Sequence, residues 1–189
     1  TQKKVYTIGE GNYKKEVLRV DPSKVNPPKE QLQRIRNEYK EAMKIYNSTT
    51  PSLLFDKTFI LPLDSSITST FGNARTFNDT LKSYHSGTDF KAKVGTPIKA
   101  VNDGVVVIAK KRYYAGGSIV IDHGGGIYST YYHLSKLNKN VGQQVKRGEI
   151  VGLSGKSGRV TGPHLHFGIM VAGYAVNPLD FIKKINATF

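Results

Sequence analysis

The chain has 189 residues, with 28 lysines and arginines against 14 aspartates and glutamates, a formal net charge of +14, and no cysteine. The absence of cysteine excludes disulfide scaffolds and thiol nucleophiles, so any metal has to be held by His, Asp or Glu. A hydrophobic fraction of 38% indicates a globular chain, long enough for one domain and an appendage.

The basic charge predicts attraction to polyanions such as nucleic acid, anionic lipid or an anionic cell-wall polymer. The longest basic run is only Lys110-Lys111-Arg112, without a recognition helix or an RNA-binding signature, so we expect no nucleic-acid partner. No apolar segment approaches the ~18 residues that span a bilayer. The first residues also lack the apolar core of a signal peptide, and we expect a soluble chain without a transmembrane segment.

The N-terminal segment, residues 1–56, is predicted to be extended at first and then helical. Asn26-Pro27-Pro28 is expected to begin the helix, with Asn26 as the N-cap. An apolar stripe follows at spacings of three and four residues: Leu32, Ile35, Tyr39, Met43 and Tyr46. A single helix cannot bury such a stripe alone, so we expect it to pack on the rest of the chain, on an upstream N-terminal domain or on a partner. Residues 48–52 are expected to form a linker.

The remaining residues, 57–189, alternate short β-type runs with glycine-rich turns, which predicts a mainly β, antiparallel domain. No second helix pattern is convincing before the last turn of the chain. The clearest predicted strands are residues 105–109, 118–122, 127–134, 150–153 and 164–171. Residues 94–105 also resemble residues 141–152, and we interpret them as two similar hairpins of a small β-sandwich.

All five histidines lie in this second part, and the predicted strand 164–171 carries two of them. Alternation along a strand places His164 and His166 on one face and the apolar residues between them on the other. The apolar face points into the core. A rigid strand therefore presents both imidazoles together, as a metal or catalytic site requires.

His85 and Asp89 form a second pair, four residues apart, with Gly87 between them to let the backbone bend. A neutral imidazole and a carboxylate can meet at one cation at about 2.0–2.2 Å. With His166 they make a set of two histidines and one carboxylate that leaves a fourth position open to water. That pattern is typical of a catalytic zinc site.

The other two histidines are harder to place from the sequence. Alternation in the strand 127–134 puts His133 on the same face as Tyr131, and it reaches the site only if its strand borders that of His164. His123 lies at a predicted turn. We expect a solvent-exposed or turn-stabilising histidine there rather than a ligand.

Three motifs occur in the order found in a known family: His85-x-x-x-Asp89, Tyr132-His133-Leu134 and Gly162-Pro163-His164-Leu165-His166-Phe167. With them, residues 58–182 resemble the M23 (LytM/lysostaphin-type) zinc metallopeptidases. The resemblance implies an antiparallel β-sandwich with a sheet groove, one zinc ion, and hydrolysis of peptide cross-links in peptidoglycan. Carried over by position, His85, Asp89 and His166 would bind the zinc, and His133 and His164 would be the catalytic pair.

The segments 59–64 and Thr161-Gly162 further resemble the Gram-negative branch, whose members trim cross-links in the periplasm. This implies a periplasmic or otherwise exported protein that acts on peptidoglycan stem peptides, with a part in wall remodelling and cell shape. In such an enzyme zinc activates water, His164 would move a proton from that water to the leaving amine, and His133 would donate to the oxyanion.

Two alternatives come from other classes of protein. A non-catalytic LytM-type protein would bind the wall or activate another hydrolase and would be expected to lack ligands, whereas a carrier-type β-sandwich leaves the histidine pair unexplained. The sequence leaves open which cross-link bond is cut. It also leaves open whether the N-terminal segment supports the β domain or forms a self-inhibitory contact, with Glu10 or Glu16 in the fourth position of the zinc.

Overall fold

The computed structural model describes residue 11 and residues 13–189. Within this part the helices are α1 (Lys29–Tyr46), α2 (Pro178–Asn186) and a short 3-10 helix (Pro22–Lys24). The strands of the described chain are β1 (Lys15–Leu18), β2 (Ile67–Ser69), β3 (Ala74–Phe77), β4 (Leu81–Tyr84), β5 (Thr88–Lys91), β6 (Pro97–Lys99), β7 (Gly104–Arg112), β8 (Gly116–Asp122), β9 (Ile127–Leu134), β10 (Lys136–Leu137), β11 (Gln144–Val145), β12 (Ile150–Leu153), β13 (His164–Val171) and β14 (Tyr174–Val176).

One antiparallel sheet organises the molecule, in the order β11-β7-β8-β9-β13-β5-β2, with β14 also paired to β13. Two three-stranded sheets flank it, β1-β3-β4 and β10-β12-β6. The prediction of a mainly β, antiparallel fold is confirmed. All five predicted strands are present, and those over residues 127–134, 150–153 and 164–171 have the predicted bounds.

The two faces of the main sheet have different roles. Along β13, Leu165, Phe167 and Ile169 are fully buried in the main hydrophobic core, as the alternation predicts. His164 and His166 therefore point to the opposite face. The sheet thus separates the core from the face that carries the chemistry.

The two similar segments are related in structure, but they are not hairpins. Their turns match, since Gly95 and Gly142 both have left-handed φ values, of 90° and 87°. However, β6 pairs with β12, and β11 pairs with the start of β7. The two segments therefore pair with each other. Their sequence similarity alone is equally consistent with two separate hairpins.

The helix α1 packs on the face of the sheet that carries the histidines. Ala42 and Tyr46 are buried against Ile108, Val120 and Tyr128 of the central strands. The hydroxyl of Tyr46 is hydrogen bonded to that of Tyr132 at 2.8 Å. The expectation that the helix packs on the rest of the chain is met for these residues.

Two details of the helix differ from the prediction. Tyr39 is 65% exposed, because the docked face includes Glu38, whose carboxylate accepts a hydrogen bond from the backbone N–H of Tyr113. The N-cap position is Pro28, without a side-chain hydrogen bond, so Asn26 is not the cap. The amphipathic pattern thus identified the helix and part of its docked face, including Met43 and Tyr46, but wrongly included Tyr39.

The strand β1 pairs in parallel with β3, and the hairpin after β3 holds its end. The side chain of Asn78 both accepts from the backbone N–H of Val20 and donates to its carbonyl. These contacts join residues on either side of position 56. The division into segments 1–56 and 57–189 itself stays a prediction.

The helix α2 was not predicted, although its signals are in the sequence. Asn177 caps it by accepting from the backbone N–H groups of Leu179 and Asp180, and Pro178 occupies the first turn.

Across residues 11 and 13–189, no helix combines the length and the apolar composition that a membrane crossing requires.

We expect Tyr46→Ala to lower the free energy of unfolding by about 3–5 kcal/mol, because it removes a buried ring and a hydroxyl that bonds Tyr132. Tyr39→Ala on the same helix is the matched control and should change it by about 0.5 kcal/mol or less. Urea unfolding followed by circular dichroism measures both. Equal effects of the two substitutions would mean that α1 does not dock through Tyr46.

Candidate metal centre and active site

The metal-ligand candidates are brought together by the pairing of two strands. β5 and β13 are antiparallel neighbours, and His166 lies directly opposite Asp89 in the register. His85 precedes β5 and turns back onto the same point. Asp89 Oδ1 lies 3.0 Å from His85 Nε2 and 2.9 Å from His166 Nδ1, and the two nitrogens are 3.1 Å apart.

The hydrogen bonds of His85 leave one of its nitrogens free to bind a metal cation. His85 Nδ1 lies 2.8 Å from the carbonyl oxygen of Thr70, and because a carbonyl only accepts, the proton of the neutral ring is on Nδ1. Its Nε2 is then an acceptor aimed at another acceptor, Asp89 Oδ1. Four-coordinate zinc bound at about 2.0–2.2 Å spaces its ligand atoms by about 3.3–3.6 Å, close to the spacing found here. The three buried side chains could thus hold a metal ion.

A second contact fixes the orientation of the carboxylate. Arg75 on β3 donates to Asp89 Oδ2 at 2.6 Å, which leaves Oδ1 for the histidine side. Burial raises the pKa of Asp89, but hydrogen bonds from the imidazoles of His166 and His85, when these carry the protons, outweigh it and hold the pKa well below its usual range; a cation in place of those protons acts in the same direction. Asp89 is therefore a carboxylate at neutral pH. Such contacts to a ligand are a common way to orient it.

Gly87 is required between His85 and Asp89 by a close approach. A Cβ atom at this position would lie 2.4 Å from the carbonyl oxygen of Phe167 and 2.7 Å from His166 Nε2. The glycine therefore lets the loop pass directly over the ring of His166.

His133 reaches this site because the regular alternation of β9 is interrupted. β9 does border β13, the condition set by the sequence analysis. His133, however, has a left-handed φ of 65°, which turns its side chain away from the core face that Tyr131 occupies. Its ring centroid lies 4.8 Å from that of His164. A non-glycine residue in this conformation is strained, and such strain is concentrated at functional sites.

Both histidines of this second pair offer Nε2 as an acceptor in the neutral ring. His133 Nδ1 donates to the carbonyl oxygen of Ser157 at 2.8 Å, and His164 Nδ1 donates to that of Gly162 at 2.9 Å. His164 Nε2 lies 3.8 Å from Asp89 Oδ1. The pair therefore borders the ligand cluster with two lone pairs facing the same space.

Charge states follow from burial. Burial lowers the pKa of His133 well below its ordinary value, and the neighbouring His164 and His166 lower it further. Burial also lowers the pKa of His166. At neutral pH His133 is therefore an uncharged acceptor. The expected donation to an oxyanion by His133 requires that its ring first takes up a proton.

His123 lies apart from this cluster and has a structural role. It is fully buried, its Nδ1 donates to the carbonyl oxygen of Asp103 at 2.6 Å, and its Nε2 is 2.8 Å from Ser129 Oγ. Burial lowers its pKa to about 4. The expectation of a solvent-exposed histidine is wrong, whereas its contacts do stabilise the turn that follows β8.

Glu16 does not lie among the ligand candidates. Its carboxylate accepts hydrogen bonds from Ser69 and Asn73 and forms an ion pair with Arg75 at 2.9 Å. Arg75 thus stands between Glu16 and Asp89, and Glu16 is not placed in the fourth position of a metal. Glu10, the other candidate for that position, lies outside the described residues.

Two cavities, of about 290 and 180 Å³, meet over the histidines, and we call them together the groove. Both are lined by Arg75, Phe77, His133 and Arg159. Tyr132 stacks on His166 in the groove, with ring centroids 5.4 Å apart and planes within 4°.

Arg75 and Arg159 are site residues that the sequence pattern does not predict. An isolated arginine gives no spacing signal, and only the glycine-rich run before the strand of His164 marks where Arg159 lies.

Comparisons with known proteins agree with the geometry. The model of "Peptidase family M23" matches residues 83–178, about half of the chain. The peptidoglycan DD-endopeptidase ShyA of Vibrio cholerae is 46% identical over 95 residues, which cover 50% of this chain and 22% of that protein. The DD-carboxypeptidase/endopeptidase Mpg of Neisseria meningitidis is 39% identical over 96 residues, 51% of this chain and 22% of that protein. The chain thus spans about a fifth of the length of these relatives.

Solved structures give the same result. A Pseudomonas aeruginosa structure assigned to peptidase M23 has a TM-score of 0.72 at 36% identity, over 82% of this chain and 63% of that one. A zinc-containing peptidase from Vibrio cholerae has a TM-score of 0.61 at 38% identity, over 65% of this chain and 39% of that one. With the family model matched across the ligand cluster and the second histidine pair, the chain belongs to peptidase family M23.

Proposed function

We propose that the protein is a zinc-dependent endopeptidase that hydrolyses peptide cross-links of peptidoglycan, in the periplasm or otherwise outside the cytoplasm. His85, Asp89 and His166 bind one zinc ion per chain, and His133 and His164 are the catalytic pair. The observation that carries the proposal is the meeting of His85 Nε2 with Asp89 Oδ1 at 3.0 Å, two acceptors that need a cation between them.

The donor set suits zinc in a catalytic site. Two imidazoles and one carboxylate are ligands that zinc prefers, and three protein ligands leave one position of a tetrahedral site for water or substrate. When bound, zinc polarises the scissile carbonyl and acidifies water for attack. The residues of the chain have to orient that water and move its protons.

His133 and His164 suit this second task. Each holds its Nδ1 proton on a backbone carbonyl and presents Nε2 to the groove. Two such acceptors can receive both hydrogens of one water molecule, which turns its lone pair towards the scissile carbonyl. His164 then takes a proton and returns it to the leaving amine, a step typically worth about 10²–10⁴ in rate.

The alternative, a wall-binding protein or an activator of another hydrolase, explains less of the site. Such a protein has no need for a complete ligand set, for a strained His133 or for a glycine packed against His166. All of these features are present in this chain. We therefore favour the enzyme.

Cleavage activity and zinc binding are expected to depend on the same residues. The purified protein should release monomers from cross-linked muropeptides, as followed by mass spectrometry, and a chelator should stop the release. Metal analysis should find about one zinc per chain. His85→Ala and Asp89→Ala should lose both zinc and activity, whereas Asp180→Asn, in α2, should lose neither. Full zinc content in either ligand variant would contradict the ligand assignment.

The catalytic pair should be separable from the metal. His133→Ala and His164→Ala are expected to retain zinc and to lose turnover by about 10²–10⁴, because they act on water rather than on the metal. Metal analysis and single-turnover kinetics on a cross-linked muropeptide measure the two effects. Loss of zinc from the His164 variant would move that residue into the ligand set, and near-normal turnover would remove either residue from the mechanism.

We also propose that the N-terminal segment restricts the groove. Glu16, Leu18 and Val20, on β1 and just after it, line the larger cavity, which Asp89 and His164 line as well. A cross-linked peptide that occupies this cavity would lie against β1. Residues 1–56 would then be a regulatory segment on a catalytic part formed by residues 57–189.

Removal of β1 is therefore expected to raise turnover. A chain that begins at Asp21 loses β1 but keeps α1, so the helix contacts remain. Glu16→Gln should act in the same direction, because it removes the ion pair with Arg75, and Val17→Gln, at a residue 64% exposed on the same strand, is the control. Equal or lower turnover with unchanged zinc content would contradict this proposal and would mean that β1 has only a structural role.

A further inference from the structure

Arg159 is held in a fixed position at the centre of the groove. Its guanidinium carbon lies 4.4 Å from the ring centroid of Phe77 and 4.8 Å from that of Tyr114. Its backbone N–H donates to the carbonyl oxygen of Tyr114 at 2.8 Å. The preceding Gly158 has a left-handed φ of 87°, and a Cβ there would lie 2.3 Å from the same oxygen. Both the backbone and the side chain are therefore preorganised.

The charge of Arg159 has no counter-ion among the described residues. Within residues 11 and 13–189, its guanidinium makes neither an ion pair nor a hydrogen bond, although its side chain lines both cavities of the groove. Arg75, which lines the same two cavities, differs in this respect. It is neutralised by Glu16 on one side and by Asp89 on the other.

Such an arrangement costs free energy in the absence of a ligand. Burial lowers the pKa of Arg159, an effect that Tyr114 opposes and the proximity of Arg75 reinforces, although a guanidinium stays charged at neutral pH. The uncompensated cation of Arg159, which faces a partly buried space, attracts an anion into it. A planar fork of N–H donors fixed between two rings is suited to a carboxylate, which it can bind through two parallel hydrogen bonds.

We propose that Arg159 is a specificity-determining residue that binds a free carboxylate of the substrate peptide, next to the bond that is cut. The proposal rests on the proposed function, because it takes the substrate to be a peptidoglycan stem peptide, and such peptides carry carboxylates. Arg159 lines the groove together with His133, so the bound carboxylate lies beside the catalytic pair. The contact positions the peptide chain over the metal ligands and does not take part in proton transfer.

A set of matched substrates tests the proposal. One is a cross-linked muropeptide dimer with free peptide carboxylates, and the others are the same dimer with these carboxylates amidated one at a time. The wild-type protein should prefer the free acid over one of the amides by about ten- to a hundredfold in kcat/KM, the usual range for a hydrogen bond to a charged group. That amide identifies the carboxylate that Arg159 binds.

Variants of the arginine should remove this preference. Arg159→Gln should raise KM for the free acid and abolish the difference between the two substrates, while Arg159→Lys should keep part of it. Arg147→Gln, at an exposed arginine that lines neither cavity, is the control. Zinc content and thermal unfolding are measured for each variant, since Arg159 also packs on Phe77 and Tyr114. A variant that loses activity equally on both substrates would overturn the proposal.

The proposal and the proposed function fail in different ways. If the wild-type protein cleaves neither substrate, the proposed function is wrong, and the carboxylate contact is then decided by calorimetric binding of the same two dimers to the zinc-loaded protein. Tighter binding of the free acid that depends on Arg159 supports the contact. Equal binding of acid and amide by the wild-type protein contradicts it.

Discussion

The antiparallel pairing of β5 with β13 is the constraint on which the site depends. It sets Asp89 opposite His166 on one face of the main sheet, while Leu165 and Phe167 anchor the same strand in the core. A shift of one residue in this register would exchange the two faces and put the imidazoles into the core. The hydrophobic pattern that stabilises the sheet therefore also fixes the positions of the proposed metal ligands Asp89 and His166.

That geometry concentrates negative charge and acceptor atoms in a buried place. In the neutral tautomer that the Thr70 carbonyl favours, Asp89 and the Nε2 of His85 meet as two acceptors, and only one oxygen of the carboxylate is compensated by Arg75. A metal ion bound at this place would relieve this repulsion, and its binding free energy would add to the stability of the folded state. The same principle applies on a smaller scale to Arg159, whose charge lies in the groove without a counter-ion among the described residues. The cluster around Asp89 is therefore complementary to a cation and Arg159 to an anion, and the described residues supply neither.

The sequence predicts the parts of this site that depend on local pattern. Alternation in β13 placed His164 and His166 correctly, and the five clearest strands were found. The prediction fails where backbone conformation or distant packing decides. The left-handed φ of His133 overrides its alternation, and Tyr39 is exposed because Glu38 has a partner in a distant loop. Arg75 and Arg159 gain their surroundings from strand pairing and from loops far apart in the sequence, which no spacing rule describes.

The helix and the candidate metal centre share one face of the sheet, and Tyr132 connects them. Its hydroxyl is hydrogen bonded to that of Tyr46 in α1, and its ring stacks on His166. The contact with α1 therefore fixes the ring that forms one side of the His166 pocket. Two independent contacts hold His166 in place: Gly87 lets a loop close over its ring, and Tyr132 covers one of its faces. A side chain confined in this way has little freedom to change its orientation, which is the preorganisation that the proposed zinc site would need to keep its geometry while substrate enters and leaves.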